Sequence, residues 1–187
     1  MKNYLERGFV LWFTGLPSAG KTTLAGQVRE ALDQRQVPTE LFDGDVVRTY
    51  LSTRLGFSKE DRDVNVKRIG FVCNLVARHG VAALAAAISP YEATRQEVRA
   101  ACEVPFVEVF VNCPVEVCAE RDVKGMYAKA KRGEIKHFTG VDDPYEAPAH
   151  AEIVCRTHLD SLEQSVAQVM GALEEMKLIP AASEKVA

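Results

Sequence analysis

At 187 residues, 47% hydrophobic and 26% charged, the chain is long enough to bury a core and reads as a single domain spanning 1–187. A net charge of −3 provides no field that draws in nucleic acid or an anionic membrane, so neither partner is expected. No apolar run approaches the roughly 18 residues that a spanning helix needs. The polar start at 1–8 is unlike a signal peptide. Five cysteines without a C-x-x-C, and four scattered histidines, spell neither a disulfide framework nor a zinc site. A reducing cytoplasm is the expected location.

In chain order, an apolar strand over 9–13 runs into Gly15, Leu16, Pro17, Ser18, Ala19, Gly20, Lys21, Thr22 and Thr23. This is the G-x-x-x-x-G-K-[ST] phosphate loop. Its glycines let backbone N–H groups converge on an anion, Lys21 reaches the terminal phosphates of ATP, and the Thr22 hydroxyl suits Mg²⁺. A helix with Leu24, Val28, Ala31 and Leu32 on one face follows and ends at 36–38. A short strand over 39–42 then meets Asp43-Gly44-Asp45, read as a turn with two carboxylates. The polar stretch 48–61 reads as irregular. Ile69, Val72, Cys73 and Val76 mark a helix face that Gly80 closes. The run VAALAAAI at 81–88 favours helix by composition, but its length and its Gly and Ser-Pro bounds predict a buried parallel strand. Ser89-Pro90-Tyr91-Glu92 has the pattern of a helix start, with Ser89 as cap. A strand over 106–111, a helix opened by Pro114, a strand at 152–156 and a helix over 162–173 complete the chain, with a frayed tail after Pro180. The segment 121–148, basic and then rich in turns, suits a lid.

Alternating strands and helices with the phosphate loop after the first strand predict a three-layer α/β/α domain with a mainly parallel, five-stranded sheet. Ligands then bind at the carboxyl ends of the strands, where Asp43, Asp45 and Ser89 fall. The absence of N-K-x-D argues against a GTPase. The D-x-x-G at 122–125 follows a helix and is read as coincidence. Asp45 is the candidate that polarises an acceptor hydroxyl. Arg48, Arg62 and Arg68 could grip an anionic acceptor, although each taken singly has the alternative of a solvated arginine.

The motifs together resemble the adenylyl-sulfate kinase family: GLPSAGKTT at 15–23, FDGDVVR at 42–48, LGFSKEDRDVNVKRIG at 55–70, ISPY at 88–91, VPFVEVFVNCPVEVCAERDVKG at 104–125 and IKHFTGVDDPYEAP at 135–148. The resemblance implies MgATP-dependent phosphorylation of the 3′-hydroxyl of adenosine 5′-phosphosulfate (APS) to 3′-phosphoadenosine 5′-phosphosulfate (PAPS). It also implies a homodimer, and association or fusion with ATP sulfurylase in some members. By the same resemblance Asp45 activates the acceptor, and Phe57 and Phe138 sandwich its adenine. Arg48, Arg62 and Asn65 hold the phosphosulfate and its surroundings, while Ile88, Ser89 and Lys124 line the same site. The 157–160 turn lies near the ATP adenine. Some members are described with a phosphoserine at the position of Ser89; direct in-line transfer is preferred here, because no histidine or lysine adjoins Ser89 in sequence. Pro17, Ser18 and Glu92, and the alanine-rich strand before ISPY, depart from the family's usual residues. Another phosphate-loop kinase, or a non-catalytic nucleotide sensor, are the competing readings.

Overall fold

The computed structural model describes residues 8–181. The polar start and most of the tail expected to fray, 1–7 and 182–187, lie outside the described residues. Five strands form one sheet: β1 (Phe9–Thr14), β2 (Thr39–Asp43), β3 (Ala82–Ala86), β4 (Phe106–Asn112) and β5 (Ile153–Arg156). Their order is β2-β3-β1-β4-β5, and every pairing is parallel, with Leu11 opposite both Leu84 and Val107. All carboxyl ends therefore lie on one edge, and β1 carries the phosphate loop into its middle.

Strand side chains alternate between the sheet's faces. Phe9, Leu11 and Phe13 enter a core closed by α1 (Lys21–Gln34), α5 (Val115–Arg121), α6 (Met126–Lys131) and α7 (Leu162–Glu175). Val10 and Trp12 enter a second core under α3 (Lys59–Ala77) and α4 (Glu92–Ala101). The alanines of β3 form a strand despite their helix propensity, because burial between two layers outweighs the small local preference. Close packing continues at Gly70, where an added Cβ would stand 2.4 Å from Val98 Cγ1.

Three local expectations are corrected. The segment after β2 is not a turn leading into irregular chain but a helix, α2 (Gly44–Leu51), with Asp43 as its cap accepting from Asp45 N at 2.9 Å and Val46 N at 3.4 Å. Ser89 does not cap α4, whose N-cap is Tyr91 without a side-chain bond; Ser89 instead lies at φ +41°. Arg68 turns away from the site, donating to Leu51 O at 2.7 Å and so bracing the end of α2.

Candidate active site

Between the sheet's carboxyl edge and the 121–148 segment lies a cavity of about 360 Å³, bounded by the phosphate loop on one side and by α2, α3 and the 88–90 turn on the other. The acceptor-side residues that the resemblance names all line it, Asp45, Arg48, Phe57, Arg62, Asn65, Ile88, Ser89, Lys124 and Phe138, whereas Arg68 does not. From the loop, Pro17, Ser18, Gly20, Lys21, Thr22 and Thr23 line it, whereas Gly15, Leu16 and Ala19 shape the loop from behind.

The loop's path needs positive φ at Gly20, +100°, which glycine adopts freely, and at Ser18, +60°, which a non-glycine residue adopts only under constraint. Lys21 is buried and donates to the loop's own carbonyls, Gly15 O at 2.9 Å and Leu16 O at 2.7 Å. Burial pushes its pKa down to about 8. Thr157 Oγ1 donates to Ala19 O at 2.7 Å, so the start of the 157–160 turn abuts the loop. Tyr127 of α6 donates to Pro17 O at 3.1 Å and ties the 121–148 segment to the loop.

Asp43 links the two halves. One oxygen caps α2, and the other accepts the Thr22 hydroxyl at 2.7 Å. That bond uses the hydroxyl's proton and leaves its oxygen lone pairs for a hard cation. Hydroxyl and carboxylate oxygens suit Mg²⁺, which binds through few protein groups plus phosphate and water. Among the described residues no cluster of three or more His, Cys, Asp or Glu could hold a metal.

Asp45, in the first turn of α2, pairs with Lys124 across the cavity mouth. That bond raises the pKa of Lys124. Phe57 is half exposed, with the Arg48 guanidinium 4.7 Å above its ring. Phe138 is buried and set edge-on to Tyr127, with 5.0 Å between ring centroids. Arg62 is less free than an anion clamp: Nε donates to Phe57 O at 2.9 Å, Nη1 to Thr139 Oγ1 at 2.7 Å, and Nη2 to His137 O. It joins α3 to the 121–148 segment. Asn65 Oδ1 is buried on the cavity wall without a protein partner, the condition of a group awaiting a ligand.

Several contributors were not singled out from the sequence. Trp12 Nε1 donates to Ser89 Oγ at 3.0 Å, and Thr14 Oγ1 lies 3.0 Å from both Ser89 Oγ and Tyr145 Oη. Arg95, nominally a helix-surface residue, is 1% exposed and donates to Ser89 O at 2.7 Å. No local signal marks these residues, because each reads as core strand or charged helix until the fold brings it to the 88–90 turn.

A parallel sheet in this strand order, a phosphate loop at its centre, and a carboxylate facing that loop across a cavity define a phosphate-loop kinase. The adenylylsulphate kinase family model matches residues 7–156. The chain belongs to the adenylylsulphate kinase family. It is 54% identical over 171 residues to the adenylyl-sulfate kinase of Gloeothece citriformis, covering 91% of this chain and 97% of that one. It is 56% identical over 174 residues to a probable bifunctional SAT/APS kinase of Sorangium cellulosum, covering 92% of this chain but 30% of that one. Among solved structures it resembles the Mycobacterium tuberculosis APS kinase CysC in complex with AMPPNP and APS. There the TM-score is 0.86 at 38% identity, covering 90% of this chain and 98% of that one.

Proposed function

We propose that this chain transfers the γ-phosphoryl group of ATP to the 3′-hydroxyl of APS, yielding PAPS and ADP. The observation that carries this reading is the single cavity in which a phosphate loop faces Asp45, Asn65 and two phenylalanines. Lys21 and the backbone of 15–23 bind the ATP phosphates. Thr22, with Asp43 beside it, would hold Mg²⁺, which neutralises phosphate charge when bound. Asp45 accepts the proton of the 3′-hydroxyl as its oxygen bonds to the γ-phosphorus and the bond to the β–γ bridging oxygen breaks. Phe57 and Phe138 hold the acceptor's adenine, with Ile88 and Ser89 as its wall. Arg48, Asn65 and the remaining N–H groups of Arg62 hold the phosphosulfate. Lys124 exchanges Asp45 for substrate charge as 121–148 closes as a lid on a single domain.

Ser89 serves as a lining and positioning group rather than a phosphate carrier. Its side chain is 2% exposed, and its oxygen is already engaged by Trp12 and Thr14. Labelled phosphoserine chased into PAPS at a competent rate in rapid quench overturns this. A cytoplasmic enzyme is supported by five free cysteines, four of them buried. Val64, Phe71 and Leu75, exposed at seven- and four-residue spacing along α3, support a homodimer. The bifunctional relative supports a working association with ATP sulfurylase.

A coupled ADP-release assay with MgATP and APS tests the reading. The expected outcome is turnover that falls about 10²- to 10⁴-fold in Asp45→Ala. Unchanged activity in Asp45→Ala removes its role, turnover only with another anionic acceptor favours a different kinase, and binding without turnover favours a sensor.

A further inference from the structure

The 121–148 segment has a second attachment besides its contacts with the phosphate loop and Arg62, at its far end. We propose that Glu146 is a positioning residue that locks the root of this lid to the acceptor wall, so that lid and Ser89 turn move as one unit. The proposal rests on the acceptor reading above. Three of Glu146's polar groups are committed to one short stretch: its N–H donates to Pro90 O at 2.8 Å, its carbonyl accepts from Arg95 Nη2 at 2.7 Å, and its carboxylate accepts from Glu92 N at 2.7 Å. Glu92 is the first residue of α4, and the N-cap residue Tyr91 supplies no side-chain bond. The lid's carboxylate therefore does the capping, with its negative charge at the positive end of the helix.

The coupling reaches the cavity through two routes. Arg95, fixed by Glu92 and by Glu108 Oε1 at 2.8 Å from its Nε, donates to Ser89 O. Beside Glu146, the Tyr145 hydroxyl lies 3.0 Å from Thr14 Oγ1, which lies 3.0 Å from Ser89 Oγ. Ser89 needs such bracing: at φ +41° it occupies a region that a non-glycine residue holds only when its surroundings over-determine it. A shift of the lid at Glu146 consequently pulls on Pro90, Glu92 and Arg95 together and releases the turn that lines the acceptor. The chain's one tryptophan, Trp12, is buried and donates to Ser89 Oγ, so its emission reports the state of that turn.

Glu146→Ala and Glu146→Gln in the full chain test the proposal, with Trp12 emission of the free protein, the thermal midpoint, and KM for APS and for ATP as readouts. Glu146→Ala is expected to shift the Trp12 emission and raise KM for APS about fivefold, the equivalent of one lost helix cap. KM for ATP should stay within about twofold. Glu146→Gln, whose amide oxygen still accepts from Glu92 N, should restore both. Wild-type emission and wild-type KM for APS in Glu146→Ala overturn the proposal. So do equal rises in both KM values with a lowered midpoint and no rescue by glutamine, which leave a stability role alone. A wild type that turns over no APS refutes the functional reading, and the Trp12 comparison then decides the coupling without it.

Discussion

Lys21 is an ammonium group held out of water by a loop whose own carbonyls are its partners. Burial lowers its pKa from 10.5 to about 8. At about 1.4 kcal/mol per pH unit, keeping this charge inside costs the nucleotide-free fold about 3 kcal/mol near neutral pH. Lys21→Met removes the charge and keeps most of the stem, but forfeits two carbonyl hydrogen bonds of about 1 kcal/mol each. The net expectation is a variant about 1 kcal/mol more stable than wild type and unable to grip nucleotide. The pH dependence has a definite sign. The folded pKa lies below the unfolded one, so between about 8 and 10.5 the unfolded chain binds more protons and wild-type stability rises with pH. Below about 8 the penalty is fully present. Urea unfolding of both proteins from about pH 7 to about pH 10.5 should therefore move their stability difference by about 3 kcal/mol in favour of wild type. A difference that stays flat across this window refutes the reasoning. So does a variant less stable than wild type by more than about 2 kcal/mol at neutral pH.

Asn65→Ala is expected to raise KM for APS about tenfold, with a thermal midpoint within about 2 °C of wild type. Its side chain makes no hydrogen bond that folding would lose, and its oxygen is buried without a partner. Gly70→Ala should destabilise by about 1–2 kcal/mol in urea titrations, because overpacking against Val98 exceeds the gain of about 1 kcal/mol in helix propensity; Val98→Ala in the same chain should recover most of the loss. Ser161→Ala breaks the capping box with Gln164 at the start of α7 and should cost about 1 kcal/mol of stability while leaving both KM values unchanged.

The sheet was legible because each strand is a short apolar run between turn residues, and because a phosphate loop after the first strand implies parallel neighbours. What failed locally did so for identifiable reasons. Helix α2 is eight residues long, opens on glycine and contains two β-branched valines, so its propensity is weak; its one clear mark, Asp43 at the cap, also fits a turn. Position in the sequence points to Ser89 as the cap of α4, but the carboxylate that does the work comes from Glu146, 54 residues beyond its partner Glu92. No local rule spells a contact of that range. The donor half of the site was legible from chemistry alone, in Lys21 and Thr22. On the facing side Asp45, Arg48 and Arg62 were candidates by chemistry too, whereas Phe57, Asn65 and Phe138, individually ordinary residues, entered only through resemblance. The brace behind it, Trp12, Thr14 and Arg95, had no signal at all, because a buried arginine looks like a surface arginine until Glu108 is found on the strand beneath it.

The charged groups of the site have partners within the protein. Lys21 rests on its own loop's carbonyls, Arg48 on Leu55 O and Gly56 O, Arg62 on the lid, and Lys124 on Asp45. Each stand-in is one that phosphate or phosphosulfate can replace, so binding exchanges partners instead of creating them. The exchanges differ in cost. The Lys124–Asp45 pair is two-thirds or more exposed on both sides and screened by water, worth about 1 kcal/mol or less, so it opens readily and frees the carboxylate that we propose meets the acceptor hydroxyl. Arg62 is buried with three bonds to protein, and displacing it would uncouple α3 from the lid. Asp45 is therefore held by a weak, exposed contact and the 121–148 segment by a buried, multiply bonded one. In this arrangement substrate can reach Asp45 without dismantling the wall that shields the transfer from water.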